Sequence, residues 1–417
     1  MDVLSAILSL LPINDAIRTN VLSRKLKYVW CSHTNLTFDK VTMRTTYFKP
    51  STSYYRWLRA HEFVTKVDTH ADHIDGWVNF AIASKPKEFV LSLSDWPKIA
   101  FFGELAYGKK RIVREPPYNL TSQLFSPSNC SHLQCLELMS LSLHLCRGFL
   151  NLKSLSLVDV SITDEDVQCM LSKCNLLEFF EITFCRMVTS IRMLHPLNRF
   201  KHLVVQICPE LQEIELNCSP TTLKYTGVVV PLIFASTSRL KNVSVVFLPF
   251  QSALSYIATG FPSTLPSLVT LTLLCYEPER TIVPERPFKF NYLQNLRLEL
   301  ITCDNGIRKT DVLDYAYLLK IAPFLEKLEF GFFGYKDQVE LALYILRNSI
   351  VLEKMEITPK LEISNNLALD GFQFEELHDV DGYRVATEFV WKADHRNVIN
   401  VVRVPSSWGP GETAMDA

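Results

Sequence analysis

The densest group of potential metal ligands lies between Asp68 and Asp75, where two histidines and three aspartates fall within eight residues. Imidazole nitrogens and carboxylate oxygens both bind divalent transition metals. His70 and His73 are three residues apart, which would place both on one side of a helix. No third and fourth ligand can be assigned from the sequence, so the competing interpretation, a polar loop or helix start before Trp77, is preferred.

Eleven cysteines are scattered along the chain without a CxxC pair. The closest spacings, Cys130 to Cys135 and Cys169 to Cys174, lack histidines at ligand spacing, so a structural metal is only the alternative interpretation. We expect reduced thiols that pack as small apolar side chains.

The usual signatures of catalysis are missing from the sequence. It contains no GxGxxG, P-loop, HExxH or GxSxG arrangement, which removes the common motifs for phosphate binding, zinc hydrolysis and nucleophilic hydrolysis. We therefore predict a protein that is not an enzyme and needs no cofactor.

Charge and hydropathy restrict the partners and the location. The 43 basic residues almost balance the 44 acidic ones, so no global field favours nucleic acid or an anionic membrane. No stretch approaches the roughly 18 apolar residues of a membrane span. The apolar start, MDVLSAILSLLPI, has no basic residue before Arg18, unlike a secretory signal. We expect a cytoplasmic or nuclear protein, and an extracellular repeat receptor is the less favoured alternative.

One short pattern, apolar-x-x-apolar-x-apolar, recurs ten times along the chain, mostly at intervals of about 20 to 30 residues. Its instances begin at Leu133, Leu152, Leu177, Phe200, Leu211, Leu240, Leu268, Leu293, Leu325 and Leu352. The fourth and sixth residues of each instance would point inward from a short strand, and the residue between them would point outward. No single unit can bury its apolar side alone, so neighbouring strands must stack in parallel.

The predicted fold class is therefore α/β, a leucine-rich-repeat solenoid with short parallel strands on the concave side and helices on the other. Residues 163–171, with Thr163 as N-cap, and 311–321 are predicted helices. The segment Phe89 to Leu93 is a predicted earlier strand, and Val228 to Phe234 indicates an irregular insertion. The remaining alternative is a β-rich α/β protein that matches the pattern by chance.

Four aromatic residues near two glycines form a separate candidate for recognition: Phe330, Phe332, Phe333 and Tyr335. They could present a patch on a loop. Packing inside the repeats is the preferred interpretation, because aromatic residues in solenoids mostly fill the core.

The first thirty residues predict three small helices, which cannot make a self-sufficient core. Leu4, Ile7, Leu8 and Leu11 share one helical face until Pro12 interrupts it. The run from Leu4 to Trp30 resembles the F-box of plant F-box proteins. The matching positions are Leu11, Pro12, Asp15, Ala16, Arg18, Thr19, Val21, Leu22, Ser23, Arg24 and Trp30.

The downstream chain resembles the same family, whose members join an F-box to leucine-rich repeats and often to an FBD module. Residues 325–359 resemble that module. The resemblance implies these domains: 1–40 a partial helical F-box, 41–84 linker helices packing on the solenoid, 85–310 leucine-rich repeats, 311–390 terminal FBD-like repeats, and 391–417 a carboxy-terminal tail.

The resemblance also implies a function: the substrate-recognition subunit of a Skp-cullin-F-box ubiquitin ligase, with a Skp-type adaptor, through it a cullin, and an unidentified protein target as partners. The implied adaptor contacts are Leu8, Leu11, Pro12, Ile17, Val21, Leu22 and Trp30. Leu26 stands where a Trp is usual, and this sequence starts at Met1 where family members usually have several more residues, including an earlier Leu-Pro that opens the first helix. The alternative is therefore a repeat scaffold or decoy that does not bind the adaptor.

Overall fold

In the computed structural model the described residues are 35–38, 74, 78–79, 81–82, 85–93, 118–120, 131–144, 150–193, 195–247, 253–276, 289–301, 315–349, 351–359 and 382–402. The chain divides into two compact units, Met1–Leu240 and Lys241–Ala417, and each is described by itself.

The first unit contains a ladder of parallel strands. Among the described residues, its strands in chain order are β1 (Asn35–Phe38), β2 (Glu88–Ser92), β3 (Asn119–Leu120), β4 (Cys135–Met139), β5 (Ser142–Leu143), β6 (Ser154–Val158), β7 (Phe179–Thr183), β8 (Ser190–Met193), β9 (His202–Gln206), β10 (Glu213–Leu216), β11 (Thr222–Gly227) and β12 (Leu232–Phe234). The ladder runs β1-β2-β4-β6-β7-β9-β11, every neighbour is parallel, and β3 pairs with β5 separately.

The leucine pattern forms this ladder because its apolar positions stack in register from strand to strand. One fully buried row is Phe89, Leu136, Leu155, Phe180, Leu203 and Leu223, and a second is Leu91, Leu138, Leu157, Ile182, Val205 and Tyr225. Burying each such side chain stabilises the fold by about 1.5 to 3 kcal/mol. The strand predicted at Phe89 is confirmed.

A second, three-stranded parallel sheet, ordered β12-β10-β8, accompanies the middle repeats. The pattern at Leu211 forms β10 of this sheet and does not belong to the main ladder. The ladder strand between Phe200 and Leu240 is β11 instead, and the supposed insertion at Val228 contains β12. In this part of the first unit, the strand predicted at Leu211 is confirmed but joins the second sheet, and the predicted insertion contributes a strand to that sheet.

The residue after each of four ladder strands has a left-handed backbone. These residues are Ser140, Asp159, Phe184 and Ile207, with φ between 51° and 57°. Their N–H groups donate to the adjacent strand, for example Phe184 to the Gln206 carbonyl at 2.8 Å. A left-handed L-residue costs about 1 to 2 kcal/mol, and here that cost is offset by the hydrogen bonds and by burial of Phe184 and Ile207 in one apolar cluster.

Helix α1 (Asp164–Lys173) covers the repeat between β6 and β7. Thr163 is its N-cap: the Asp166 N–H donates to Thr163 Oγ1 at 3.3 Å, and the Thr163 N–H donates to the Asp166 carboxylate. This capping box and the predicted helix start are confirmed. The Asp164 carboxylate accepts from the Thr189 N–H at 2.8 Å and so fixes the helix to the turn before β8.

The second unit repeats the architecture with helices between the strands. In chain order its described strands are β13 (Asn242–Phe247), β14 (Thr270–Tyr276), β15 (Asn295–Ile301), β16 (Lys327–Phe332), β17 (Lys354–Pro359) and β18 (Ile399–Val401), all parallel to their neighbours. Its helices are α2 (Ala253–Thr259), α3 (Phe261–Thr264), α4 (Tyr317–Ile321), α5 (Lys336–Asn348) and α6 (Gly382–Val385). The last five residues of the helix predicted over 311–321 form α4, and residues 302–314 lie outside the described residues.

The carboxy-terminal turns pack on β16 and α5. Helix α6 continues into a π turn, Ala386–Val390, and a short 3₁₀ turn, Trp391–Ala393. A Cβ on Gly382 would lie 2.8 Å from the Phe332 carbonyl oxygen, so only glycine allows this close approach. The Arg396 guanidinium donates to the carbonyls of Ser349 and Leu352, which fixes the segment before β18 to the turn before β17.

The parallel ladders confirm the predicted fold class. The predicted domain boundaries stay predictions. Strand β1 falls within the range assigned to the partial F-box, and β18 falls within the range assigned to the tail. Within the described ranges, no helix combines the length and apolar character that crossing a bilayer requires.

Candidate interaction surface

The outward face of each ladder consists of the side chains that alternate with the buried leucines. Its central row in the first unit is Val90, Glu137, Ser156, Glu181, Val204 and Lys224, all in register. The parallel pairing therefore collects side chains from residues 90 to 224 on one surface. Such a surface offers many small contacts to a partner.

The outward face of the first unit contains a buried polar group. The Ser156 hydroxyl donates to Glu181 Oε2 at 2.8 Å, and the Thr183 hydroxyl donates to Glu181 Oε1 at 3.3 Å. Glu181 is only 9% exposed although it lies on the outward side of β7. Its hydrogen bonds offset the loss of water around the carboxylate and fix its orientation.

An imidazole lies on the neighbouring row of the same face. His202 Nδ1 is 2.7 Å from Thr222 Oγ1, and the His202 ring lies 6.5 Å from the Phe179 ring, centroid to centroid. The sequence offered no signal for this group, because the three residues are separated by 20 or more positions and meet only through the register.

The outward face of the second unit is charged. Its central row is Ser244, Thr272, Arg297, Glu329, Glu356 and Asn400. Arg297 pairs with Glu299 at 2.6 Å, and Lys354 pairs with Glu356 at 2.7 Å. Hydrogen bonds to those carboxylates raise the pKa of Arg297 and of Lys354. Pairs as exposed as these contribute little to stability, because water screens them.

A row of exposed apolar side chains stands at the turns that lead into three strands of the second unit. Tyr292 is 62% exposed, Phe324 is 53% exposed and Val351 is 45% exposed. Each lies three residues before its strand, so the register places them on neighbouring turns.

The aromatic segment of the second unit divides between packing and exposure. Phe330 and Phe332 are fully buried and meet edge to face at 5.9 Å, which confirms packing for this pair. Phe333 and Tyr335 are half-buried and stack at 6.2 Å. Gly334, at φ 96°, provides the turn between them.

The cysteines and the predicted metal ligands form no centre among the described residues. No group of three or more His, Cys, Asp or Glu could hold a metal ion there. Cys174, Cys185, Cys208 and Cys218 are buried and form no disulfide. Burial raises the pKa of Cys174 to about 12 and that of Cys218 to about 11. The ligand residues between Asp68 and Asp75 lie outside the described residues.

The predicted adaptor-binding residues also lie outside the described residues, so their roles stay predictions. They are Leu8, Leu11, Pro12, Ile17, Val21, Leu22 and Trp30.

Stacked leucine motifs, parallel ladders and outward polar rows together define the class: a leucine-rich-repeat protein. The family model described as "At1g61320/AtMIF1, LRR domain" matches residues 56–331, and the model described as "FBD" matches residues 324–357. The chain belongs to this family of plant F-box/LRR-repeat proteins, and it carries the FBD region that the sequence predicted.

Three relatives from Arabidopsis thaliana illustrate the similarity. F-box/LRR-repeat protein At3g03360 is 29% identical over 197 residues, which are 44% of this chain and 37% of that protein. F-box/FBD/LRR-repeat protein At1g13570 is 29% identical over 238 residues, 52% of each chain. FBD-associated F-box protein At1g61320 is 25% identical over 329 residues, 72% of this chain and 67% of that one. The chain thus spans from about a third to two thirds of the length of these relatives.

Proposed function

We propose that the protein is the substrate-recognition subunit of a Skp-cullin-F-box type ubiquitin ligase and performs no chemistry itself. The observation that carries the proposal is the register-built outward face, which collects side chains from distant repeats on one surface while the F-box-like run precedes it. Membership of a family whose relatives are named F-box/LRR-repeat proteins supports the same proposal.

In this proposal the amino-terminal segment binds a Skp-type adaptor and, through it, a cullin. The outward faces and the turns beside them bind a protein target. Holding the target near a ubiquitin-loaded enzyme raises its effective concentration without a new reactive group. The protein would bind its target in the cytoplasm or the nucleus, the location that we expect from the sequence.

Co-purification with a purified Skp-type adaptor tests the proposal. We expect the full chain to co-elute with the adaptor, and L8A/L11A to weaken the complex about a hundredfold, because two apolar contacts are removed. Leu150→Ala is the matched control, since Leu150 is an exposed leucine outside the predicted adaptor segment. Absence of co-elution by a folded chain would overturn the ligase function and identify a repeat scaffold or decoy.

A further inference from the structure

A cavity of about 300 Å³ opens in the first unit at the turns that lead into β2, β4, β6 and β7. Its lining is Lys85, Lys87, Ser131, His132, Gln134, Asn151, Lys153 and Leu176. The described residues that line it thus include three lysines, a histidine, two amide residues and a serine, and none of these described residues is acidic. The cavity is at the lower end of the size range of ligand sites.

The backbone register brings these side chains together. Lys87, Gln134 and Lys153 each precede a ladder strand, and the carbonyl of each accepts N–H groups from the next turn: Lys87 from Gln134 at 2.7 Å, and Gln134 from Lys153 at 2.7 Å. Adjacent rungs are about 4.8 Å apart, so the Lys87 and Lys153 backbones lie about 10 Å apart with Gln134 between them. The flexible side chains of Lys87 and Lys153 are long enough to reach a single anion between them.

Lys85 is held at the same cavity by an unusual backbone. It precedes Pro86 and has φ 52°, a left-handed conformation that is rare for a side chain other than glycine and disfavoured before proline. Its N–H donates to the Ile82 carbonyl at 3.1 Å. Strain of this kind persists where the surrounding structure holds the residue in place, and it is concentrated at binding sites.

The cationic groups have no ion-pair partner in the part of the chain that the structure describes. None of Lys85, Lys87 and Lys153 pairs with a carboxylate there. The neighbouring Glu178 makes its ion pair with Lys201, whose Nζ donates to Glu178 Oε2 at 2.5 Å, and Lys153 acts on that carboxylate only through the weaker, longer-range charge attraction that helps to lower the pKa of Glu178. Glu88 follows Lys87 in the chain but does not line the cavity.

We propose that this cavity, the lysine groove, binds a phosphate group. Lysine ammoniums are compact point charges that suit a tetrahedral anion, whereas planar carboxylates are best bound by the guanidinium fork of arginine, and no arginine is among the described residues of the groove. Ser131, Gln134 and His132 add hydrogen-bond donors around the charges. We infer that the protein target carries this phosphate, and that part of the inference rests on the proposed function. The binding of the anion to the groove does not depend on the proposed function.

Calorimetric titration of the full chain with sodium phosphate at constant ionic strength tests the groove. We expect saturable binding by the unaltered chain and a loss of about tenfold for each of Lys87→Gln and Lys153→Gln, since each removes one charge-assisted hydrogen bond. Lys224→Gln is the matched control: Lys224 is an exposed lysine of the same unit outside the groove, and its loss should leave phosphate binding unchanged. Melting by circular dichroism verifies that every variant is folded.

Two further probes identify the source and the chemistry of the anion. Capped phosphoserine that binds more tightly than inorganic phosphate indicates a phosphorylated side chain, and equal or weaker binding indicates a free phosphate. Acetate binding as tightly as phosphate, an unchanged affinity in the K87Q/K153Q variant, or no saturable binding at all would overturn the lysine groove.

Co-purification with the adaptor keeps this inference separate from the proposed function. The K87Q/K153Q variant should retain the adaptor while losing phosphate. A chain that binds phosphate but no adaptor would overturn only the ligase function, and a chain that binds the adaptor but no phosphate would overturn only the groove.

Discussion

The hydroxyl of Ser156 donates a 2.8 Å hydrogen bond to the carboxylate of Glu181 on the neighbouring strand, and both side chains are at least nine-tenths buried. Removing the Ser156 hydroxyl takes away the donor to Glu181 Oε2, while the Thr183 hydroxyl still donates to Oε1. We expect Ser156→Ala to lower the free energy of unfolding by about 1 to 3 kcal/mol, measured by urea denaturation. Ser154→Ala, a half-exposed serine on the same strand, should change it by less than about 0.5 kcal/mol. Equal effects of the two changes would contradict the assigned role of the pair.

The capping box of α1 gives a second prediction. Thr163→Ala removes the oxygen that accepts the Asp166 N–H, so we expect a loss of about 1 kcal/mol in the free energy of unfolding. Thr163→Ser keeps that oxygen and should restore most of the stability. A Ser variant as unstable as the Ala variant would show that the threonine methyl, and not the hydrogen bond, stabilises this end of the helix.

The buried thiols predict a loss of stability at alkaline pH. Burial raises the pKa of Cys174 to about 12 and that of Cys208 to about 12, from the ordinary value of 9.0. Above pH 9.0 the unfolded chain releases thiol protons that the folded chain keeps, so their contribution to stability is complete below that pH and is lost as the pH rises toward 12. The slope should be about 1.4 kcal/mol per pH unit for each thiol.

Urea unfolding across this alkaline range measures the slope. Cys174→Ala should reduce the slope of the unfolding free energy against pH by the contribution of one thiol. Ser172→Ala, which alters the last turn of α1 two residues before Cys174 without removing a titratable group, should leave the slope unchanged. A slope that is identical in all three chains would exclude Cys174 as a source of the alkaline instability.

The close approach of Gly382 to β16 gives a fourth prediction. Gly382→Ala places a methyl group 2.8 Å from the Phe332 carbonyl oxygen, and backbone must shift to relieve the clash. We expect a loss of about 1 to 3 kcal/mol and faster amide exchange in β18, measured by hydrogen-deuterium exchange. Thr387→Ala, on the adjacent π turn, removes only a side-chain hydrogen bond to the Tyr383 carbonyl and should leave exchange in β18 nearly unchanged.

The leucine spacing predicted most ladder strands because burial of alternate side chains is a local property of sequence. The pattern missed a strand where other residue types stand at the aliphatic positions of the repeat. Pro220 and Tyr225 stand at two apolar positions of the repeat that forms β11, and that repeat was missed. The motif at Leu211 was correctly read as a strand, but spacing alone does not say which of two sheets a strand joins.

Other features could not be predicted because they depend on distant partners. A β-branched residue such as Ile207 strongly disfavours a left-handed backbone, and only the hydrogen bond to the Thr226 carbonyl and burial make it tolerable. The lysine groove likewise joins residues from 85 to 176. The first strand, β1, and the last, β18, lack the leucine motif, and they are identified by pairing with β2 and β17.

The carbonyl immediately before a ladder strand accepts two N–H groups from the start of the following repeat, as Lys153 does from Glu178 and Phe179 and as Gln294 does from Glu326 and Lys327. These hydrogen bonds fix the register between neighbouring strands again at the start of each repeat. The stretch between two such points can gain or lose residues without shifting the leucines of the next rung. Unequal repeat lengths are consequently harmless to the core, and evolution is free to lengthen single loops where a new binding partner requires it.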